Sequence, residues 1–325
     1  MNAGPEGHVT LHDLESDVAT MREDVLRALR CEPKRLPSQY LYDERGARLF
    51  ERICETGEYY LTRTEISILE TNIDAISARI GPGAVVIEPG GSSGSGLKTR
   101  LLLDGLKDPA GYVPIDVSRK QLARFAKQIE QGFPDLEVLP VCADFTGDYE
   151  IPAATAEVLS RVTYFPGSTI GNFAPREAVA VLRHLATLGR SVLIGIDLAK
   201  DHFILEPAYD DAEGYSREFA LNLLVRLNRE LGADFAVEQF GYEAPYNEDA
   251  GRIEMSLVSE RKQTVHIDRH RVEFQRDERM LTEYSYKFDL DGFAELAGKA
   301  GLLVAETWTD PDDLFGVLYL TSSPT

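Results

Sequence analysis

The segment Val85-Val86-Ile87-Glu88-Pro89-Gly90-Gly91-Ser92-Ser93-Gly94-Ser95-Gly96 runs from an apolar stretch into a cluster of glycines. Glycines let a ligand approach the backbone, and a following helix offers partial positive charge at its N-terminus. In dinucleotide enzymes such a turn holds pyrophosphate; in methyltransferases using S-adenosyl-L-methionine it faces the methionine end of the cofactor. The turn alone also suits a purely structural role, because glycine-rich strand–helix turns are common. Asp116 follows Gly96 by about twenty residues, the distance at which a carboxylate meets both ribose hydroxyls of either cofactor. Asp144-Phe145 offers an acid for an adenine amino group and a ring to cover the base. Three such groups at successive strand ends are more specific than any one, although Asp116 alone would also serve beside a helix cap. Farther on, Phe165-Pro166-Gly167-Ser168-Thr169-Ile170-Gly171-Asn172-Phe173 lacks the Gly-Lys-Ser/Thr ending of a phosphate loop. The Asn172 carboxamide can donate and accept at the mouth of a crevice, or cap the helix that begins at Ala174-Pro175.

The elements that must carry these groups are legible as periodicities. Leu14, Val18, Met21, Val25 and Leu29 mark one helix face, and a short helix is predicted over 47–54. Thr62 and Glu65 have capping-box spacing ahead of a helix with Ile66, Leu69, Ile73, Ile76 and Ile80 on one face. Strands are predicted over 84–88, 111–116, 136–142, 162–165 and 191–196, with helices over 97–106, 118–131 and 174–188 between them. That alternation means a parallel sheet covered on both faces. After Asp197 the rhythm breaks into a helix over 216–231 and strand-like stretches over 235–242, 252–259 and 263–267, an antiparallel unit. A helix over 290–300 and strands over 302–307 and 315–321 suit the closing edge of the first sheet.

The 325 residues carry 34 Lys+Arg against 54 Asp+Glu, a formal charge of −20, with no basic run. Such a chain repels phosphate backbones, so nucleic-acid binding is not expected, and the acidity reads as a solvated surface. Cys31, Cys54 and Cys142 are odd in number and widely spaced, which points to reduced thiols and a cytoplasmic location. Residues 1–10 carry Glu6 and no apolar core of a secretory signal, and no apolar run approaches the ~18–20 residues of a membrane span. His266 and His270 have an H-x3-H spacing with no Cys or acid to complete a site, so no metal is expected.

Five stretches together resemble the L-histidine Nα-methyltransferases of ergothioneine biosynthesis. They are Gly-Glu-Tyr-Tyr-Leu-Thr-Arg-Thr-Glu (57–65), Pro-Gly-Ser-Thr-Ile-Gly-Asn (166–172), Ala-Tyr-Asp-Asp-Ala-Glu-Gly (208–214), Arg-Ile-Glu-Met (252–255) and Met-Leu-Thr-Glu-Tyr-Ser-Tyr-Lys-Phe (280–288). The similarity runs in unbroken order from about residue 20 to the C-terminus. It implies an α/β fold: a class I, Rossmann-like, doubly wound methyltransferase sheet (64–198 plus 287–325) with a second α+β substrate-binding domain (8–63 plus 199–286). It implies three successive methylations of the histidine α-amine, giving hercynine, with S-adenosyl-L-homocysteine as the other product. By position, Tyr59, Gly90, Lys98, Asp116, Asp144 and Phe145 would form the cofactor shell. Tyr42, Asn172, Tyr209, Glu283 and Ser285 would hold the amino acid, with Met255 beside it. The family's turn is shorter, a Gly-Ser-Gly-Thr-Ser type before the Lys-Thr-Arg seen here at 98–100, so the register of 90–96 stays open.

These roles are physically coherent. Asn172 and Tyr209 can donate to a substrate carboxylate, and Glu283 and Ser285, two apart on an extended segment, point to one side and can satisfy both imidazole nitrogens. An amino acid without that ring would leave Glu283 buried and unpaired. Tyr42 is the catalytic candidate as an orienter of the amine, since a tyrosine of pKa ~10 is a weak base. Positioning with proton loss to solvent is therefore expected over a dedicated general base. The rivals are a nicotinamide dehydrogenase, a relative acting on another amino acid or amine such as tryptophan, and a catalytically silent binding module. The expected partners are small molecules, neither nucleic acid nor membrane, with the chain as a monomer.

Overall fold

A computed structural model describes residues 12–13, 18–91, 96–147 and 149–322. Five parallel strands follow in order: β1 (Ala84–Pro89), β2 (Gly111–Asp116), β3 (Val141–Cys142), β4 (Ser160–Phe165) and β5 (Ser191–Asp197). An inserted sheet contributes β6 (Phe240–Glu243), β7 (Arg252–Ser259) and β8 (Arg279–Tyr286). The chain then returns to the first sheet as the antiparallel pair β9 (Leu302–Thr309) and β10 (Phe315–Ser322). The large sheet has the order β3-β2-β1-β4-β5-β10-β9, with His12–Asp13 paired in parallel outside β3. This is a doubly wound, Rossmann-like α/β sheet, as the sequence predicts. Strand order reverses beside β1, which pairs with both β2 and β4, and the crevice at such a switch point lies outside the carboxyl ends of the strands.

β1, β2 and β5 are buried along their whole length. Parallel strands covered on both faces need apolar side chains in both directions, which is why they appear in the sequence as continuous apolar runs. Alternate residues enter separate cores. Val85, Ile87, Val113, Ile115, Val192 and Ile194 pack with the helices Pro175–Leu188 and Leu290–Lys299. Val86, Tyr112, Tyr164 and Leu193 point the other way, into a cluster shared with the helix Tyr60–Ile80 and with Phe240, Ile253, Met255 and Leu257 of the inserted sheet. One face of the large sheet and the inserted sheet thus share a hydrophobic core.

Several sequence expectations shift. Thr62 and Glu65 do not cap a helix: the helix starts at Tyr60, Tyr59 occupies the N-cap without a side-chain bond, and both residues lie inside the first turns. The third strand shrinks from 136–142 to Val141–Cys142, because Pro140 lacks the N–H that a ladder needs. In the 235–242 stretch, Val237–Gln239 forms a 3-10 turn and the strand starts only at Phe240. His12–Asp13, assigned from sequence to the substrate domain, pairs with the large sheet, and the helix 60–80 runs through the boundary drawn at residue 64. Leu14 lies outside the described residues, as do 92–95 of the glycine turn. Among the described residues no helix is long and apolar enough to cross a membrane.

Glu65 shows how the fold sets up its crevice. It is 1% exposed, accepts Lys98 Nζ at 2.7 Å, and receives the Gly167 N–H at 2.9 Å. One carboxylate therefore joins a long helix, the helix Leu97–Gly105 and the loop after β4. The space it occupies exists because residue 195 has no side chain: a Cβ on Gly195 would lie 2.2 Å from Glu65 Oε1 and 2.9 Å from Phe315 Cε1. Overpacking of this kind costs ~1–3 kcal/mol. Gly195→Ala is expected to lower stability by about that amount in denaturant unfolding; a loss under about 0.5 kcal/mol would mean that Glu65 can move aside freely.

Candidate active site

A cleft of 790 Å³ opens at the carboxyl ends of the strands, between the large sheet and the inserted one. All twelve residues singled out in the sequence line it: Tyr42, Tyr59, Gly90, Lys98, Asp116, Asp144, Phe145, Asn172, Tyr209, Met255, Glu283 and Ser285. The glycine turn leaves β1 at Gly90, with a left-handed φ of 73°. Asp116 ends β2 and its Oδ1 accepts the Ser118 N–H at 2.9 Å. Asp144 follows β3, with Oδ1 held by the Thr146 N–H at 2.9 Å and hydroxyl at 2.7 Å. Phe145 stands edge-on to Phe165 and Phe173, at 5.7 and 6.2 Å between ring centres.

The substrate-side candidates come mainly from the inserted sheet and the loop after β4. Met255 and Glu283 are cross-strand partners, and a bulge follows at once, with Thr282 as the extra residue on β8. Bulges re-aim side chains near functional sites; here Thr282 donates its hydroxyl to the Met255 carbonyl, while Glu283 and Ser285 both line the cleft. Asn172 does not cap the following helix, whose N-cap is Ala174; its Nδ2 donates to Glu283 Oε1 at 2.8 Å. That approach depends on Gly171, where a Cβ would lie 2.8 Å from the Tyr286 carbonyl oxygen. Tyr42 packs edge-on against Phe50 and Phe219, at 5.6 and 5.2 Å, and Tyr59 against Tyr209 at 6.1 Å. Burial pushes the Tyr42, Tyr59 and Tyr209 phenols well above their usual value, so all three stay protonated.

Three groups around the cleft were not singled out in the sequence. Lys287 is wholly buried and donates to Asp197 Oδ2 at 2.6 Å, Tyr209 Oη at 2.7 Å and Ser285 Oγ at 2.8 Å. Asp197 Oδ1 also accepts Lys200 Nζ at 2.6 Å and the Tyr60 hydroxyl at 2.7 Å. Glu88, at the end of β1, is buried beneath the glycine turn, accepting from Thr99 and Tyr112, and burial pushes its carboxyl up to about 7. The advance signal for Lys287 was its place in the 280–288 stretch, two residues beyond Ser285. His266 pairs with Asp234 at 3.0 Å on the hairpin 263–274, and no group of three His, Cys, Asp or Glu that could hold a metal occurs among the described residues.

The charges lining the cleft select among ligands. Its acids are Glu51, Glu55, Glu88, Asp116, Asp144 and Glu283; its cations are Arg63 and Lys98. Arg63 is engaged by the carbonyls of Thr56, Gly57 and Tyr59, and Lys98 by Glu65. A pyrophosphate would meet the acids Glu51, Glu55, Asp116 and Asp144, two further carboxyls (Glu88 and Glu283) that burial pushes toward the neutral form, and no uncommitted base among these lining side chains. A ligand with a cationic centre, ribose hydroxyls and an adenine amino group meets the complementary set.

Comparison with known proteins gives the same direction. Residues 21–322 match the family model described as "Histidine-specific methyltransferase, SAM-dependent". The histidine N-alpha-methyltransferase of Mycolicibacterium smegmatis is 39% identical over 311 residues, 93% of this chain and 95% of that one. That of Mycobacterium tuberculosis is 37% identical over 306 residues, 91% and 93% of the two chains. Ergothioneine biosynthesis protein 1 of Neurospora crassa is 32% identical over 292 residues, covering 85% of this chain and 32% of that protein.

Burial in the cleft pushes the Glu283 carboxyl up to about 8, with nearby Lys287 pulling it the other way. An unfolded glutamate titrates near ~4.3. Between those values the native state holds a proton that the unfolded chain has lost, so stability falls as pH rises through that window and levels off above it. Glu283→Gln removes this titration. Its melting temperature relative to the parent is expected to climb between about pH 5 and about pH 9; a difference that stays constant would contradict a buried, proton-holding Glu283.

Proposed function

The chain belongs to the histidine-specific, S-adenosyl-L-methionine-dependent methyltransferases, and from that premise we propose that its cleft presents the α-amine of L-histidine to the methyl donor, three times in succession, to give hercynine. The reaction is a step of ergothioneine biosynthesis. The observation that carries the reading is the convergence of cofactor-type groups at three strand ends and amino-acid-type groups from the inserted sheet on one acidic cleft. When bound, S-adenosyl-L-methionine supplies a methyl group on a sulfonium, already activated for displacement.

In this proposal Asp116 accepts the ribose hydroxyls, Asp144 the adenine amino group, and Phe145 covers the base. Gly90 opens the backbone beside the methionine end, while Lys98 and Tyr59 bound that pocket. Asn172 and Tyr209 donate to the substrate carboxylate. Glu283 and Ser285 take the imidazole nitrogens, and Met255 packs beside the ring. The lobe around the cofactor takes His12–Asp13, the whole helix Tyr60–Ile80 and the rest of the large sheet, and the lobe around the amino acid is built on the inserted sheet, in a protein acting as a monomer in the cytoplasm. The amine must arrive with a lone pair. Tyr42 keeps its proton, because burial pushes its phenol well above the ordinary value, so it orients the amine by hydrogen bonding while the proton leaves to water. The chain's contribution is alignment of nitrogen and methyl at near-attack distance, together with carboxylates that favour a cationic donor.

Mass spectrometry of L-histidine incubated with the protein and S-adenosyl-L-methionine is expected to reveal one, two and three added methyl groups on the α-nitrogen. Cofactor binding without any change in histidine, or faster methylation of tryptophan than of histidine, would overturn the assignment. Glu283→Ala is expected to raise KM for histidine by roughly 10- to 100-fold while leaving cofactor affinity within about twofold. Equal losses in both would remove Glu283 from the substrate side.

A further inference from the structure

Lys287 has a consequence for how the cleft reads its substrate. An ammonium has three hydrogens and accepts none. Those of Lys287 have three acceptors, Asp197 Oδ2, Tyr209 Oη and Ser285 Oγ, all within 2.8 Å. The two hydroxyl oxygens are themselves 2.8 Å apart. Two hydroxyls bring two hydrogens, and one lies in the bond between them. A single hydroxyl hydrogen therefore remains for the cavity, and each hydroxyl oxygen has already spent an acceptor position on Lys287.

Two arrangements satisfy this count. If Ser285 donates to Tyr209, the phenol hydrogen faces the cavity and Ser285 keeps one lone pair for a ligand N–H. If Tyr209 donates to Ser285, the serine hydrogen faces the cavity and the phenol turns a lone pair toward the ligand. Only the first lets Tyr209 donate to a carboxylate. We propose that Lys287 is a positioning residue that limits the two hydroxyls to these arrangements, from which the substrate carboxylate selects the first: Tyr209 is then held as a donor for the amino-acid carboxylate and Ser285 as an acceptor for a ring N–H. The inference rests on the assignment of histidine as substrate and deepens it. Discrimination then comes from an oriented pair of hydroxyls as well as from Glu283. A ring that keeps an acceptor nitrogen but has no N–H leaves the Ser285 lone pair without a partner. With an apolar side chain at 287, both hydroxyls can turn, and that preference fades.

The test compares kcat/KM for L-histidine and for thiazolylalanine, an isostere whose ring has an acceptor nitrogen and no N–H, with cofactor affinity measured by calorimetry. The unaltered protein is expected to favour histidine by at least roughly 30-fold. Lys287→Met is expected to lose at least about tenfold in kcat/KM for histidine, mainly through KM, and to narrow the histidine-to-thiazolylalanine ratio several-fold, with cofactor affinity within about twofold. A purely structural role would depress both substrates and cofactor binding together and leave the ratio unchanged, which would overturn the inference. Should Lys287→Met fail to fold, Lys287→Met with Asp197→Asn removes the carboxylate left behind, and the comparison on the unaltered protein still decides: equal use of both substrates sinks the proposed polarity. Failure of the unaltered protein to methylate histidine at all would instead overturn the substrate assignment beneath it.

Discussion

Asp197 closes β5 with a carboxylate shut off from water, and much of the cleft is arranged around satisfying that charge. A buried ion costs several kcal/mol in lost hydration, recovered only by close, well-directed partners. Lys287 supplies one from the end of the inserted sheet, Lys200 a second from the chain leaving β5, and Tyr60 a hydroxyl from the start of a long helix. Burial lowers the pKa of both lysines while the Asp197 carboxylate opposes it, so each cation depends on the same acid. Three segments from different parts of the chain are thereby pinned at the carboxyl end of β5.

A second carboxylate does similar work on the cofactor side. Glu65 fastens Lys98 and the Gly167 amide, and so fixes the helix after the glycine turn relative to the loop after β4. Ser168 follows in a left-handed conformation uncommon outside glycine, and its hydroxyl accepts the Asp197 N–H at 2.9 Å. The loop that delivers Asn172 is thus held between the two buried acids. Its rigidity suits a reaction in which the protein contributes alignment more than acid–base chemistry.

The inserted sheet closes the crevice at the strand ends with the groups proposed to read the substrate. β8 pairs with β7 so that a bulge falls beside Glu283, and Gly171 lets the Asn172 turn lie against the backbone of Tyr286. The hydrophobic cluster shared between the two sheets holds this arrangement still. In the proposed reading, selectivity for an amino acid carrying an imidazole comes from polar groups on a packed framework, where an unmet hydrogen bond is costly.

The amino-acid sequence by itself determined the alternation of buried strands and helices, since strands covered on both faces must be apolar in both directions. It also determined the acids at successive strand ends and the motifs carrying Asn172, Tyr209, Glu283 and Ser285, because each is a local pattern. The spacing of Thr62 and Glu65 misled, for a capping pattern and a helix interior look alike until the tertiary partner of Glu65 is known. What only the tertiary structure decided were contacts between distant positions. Asn172 meets Glu283 across 111 residues and Lys287 meets Asp197 across 90. No local rule couples such pairs; they form because strand order, a bulge and two closely approached glycines bring carboxyl groups within reach of donors from distant parts of the chain.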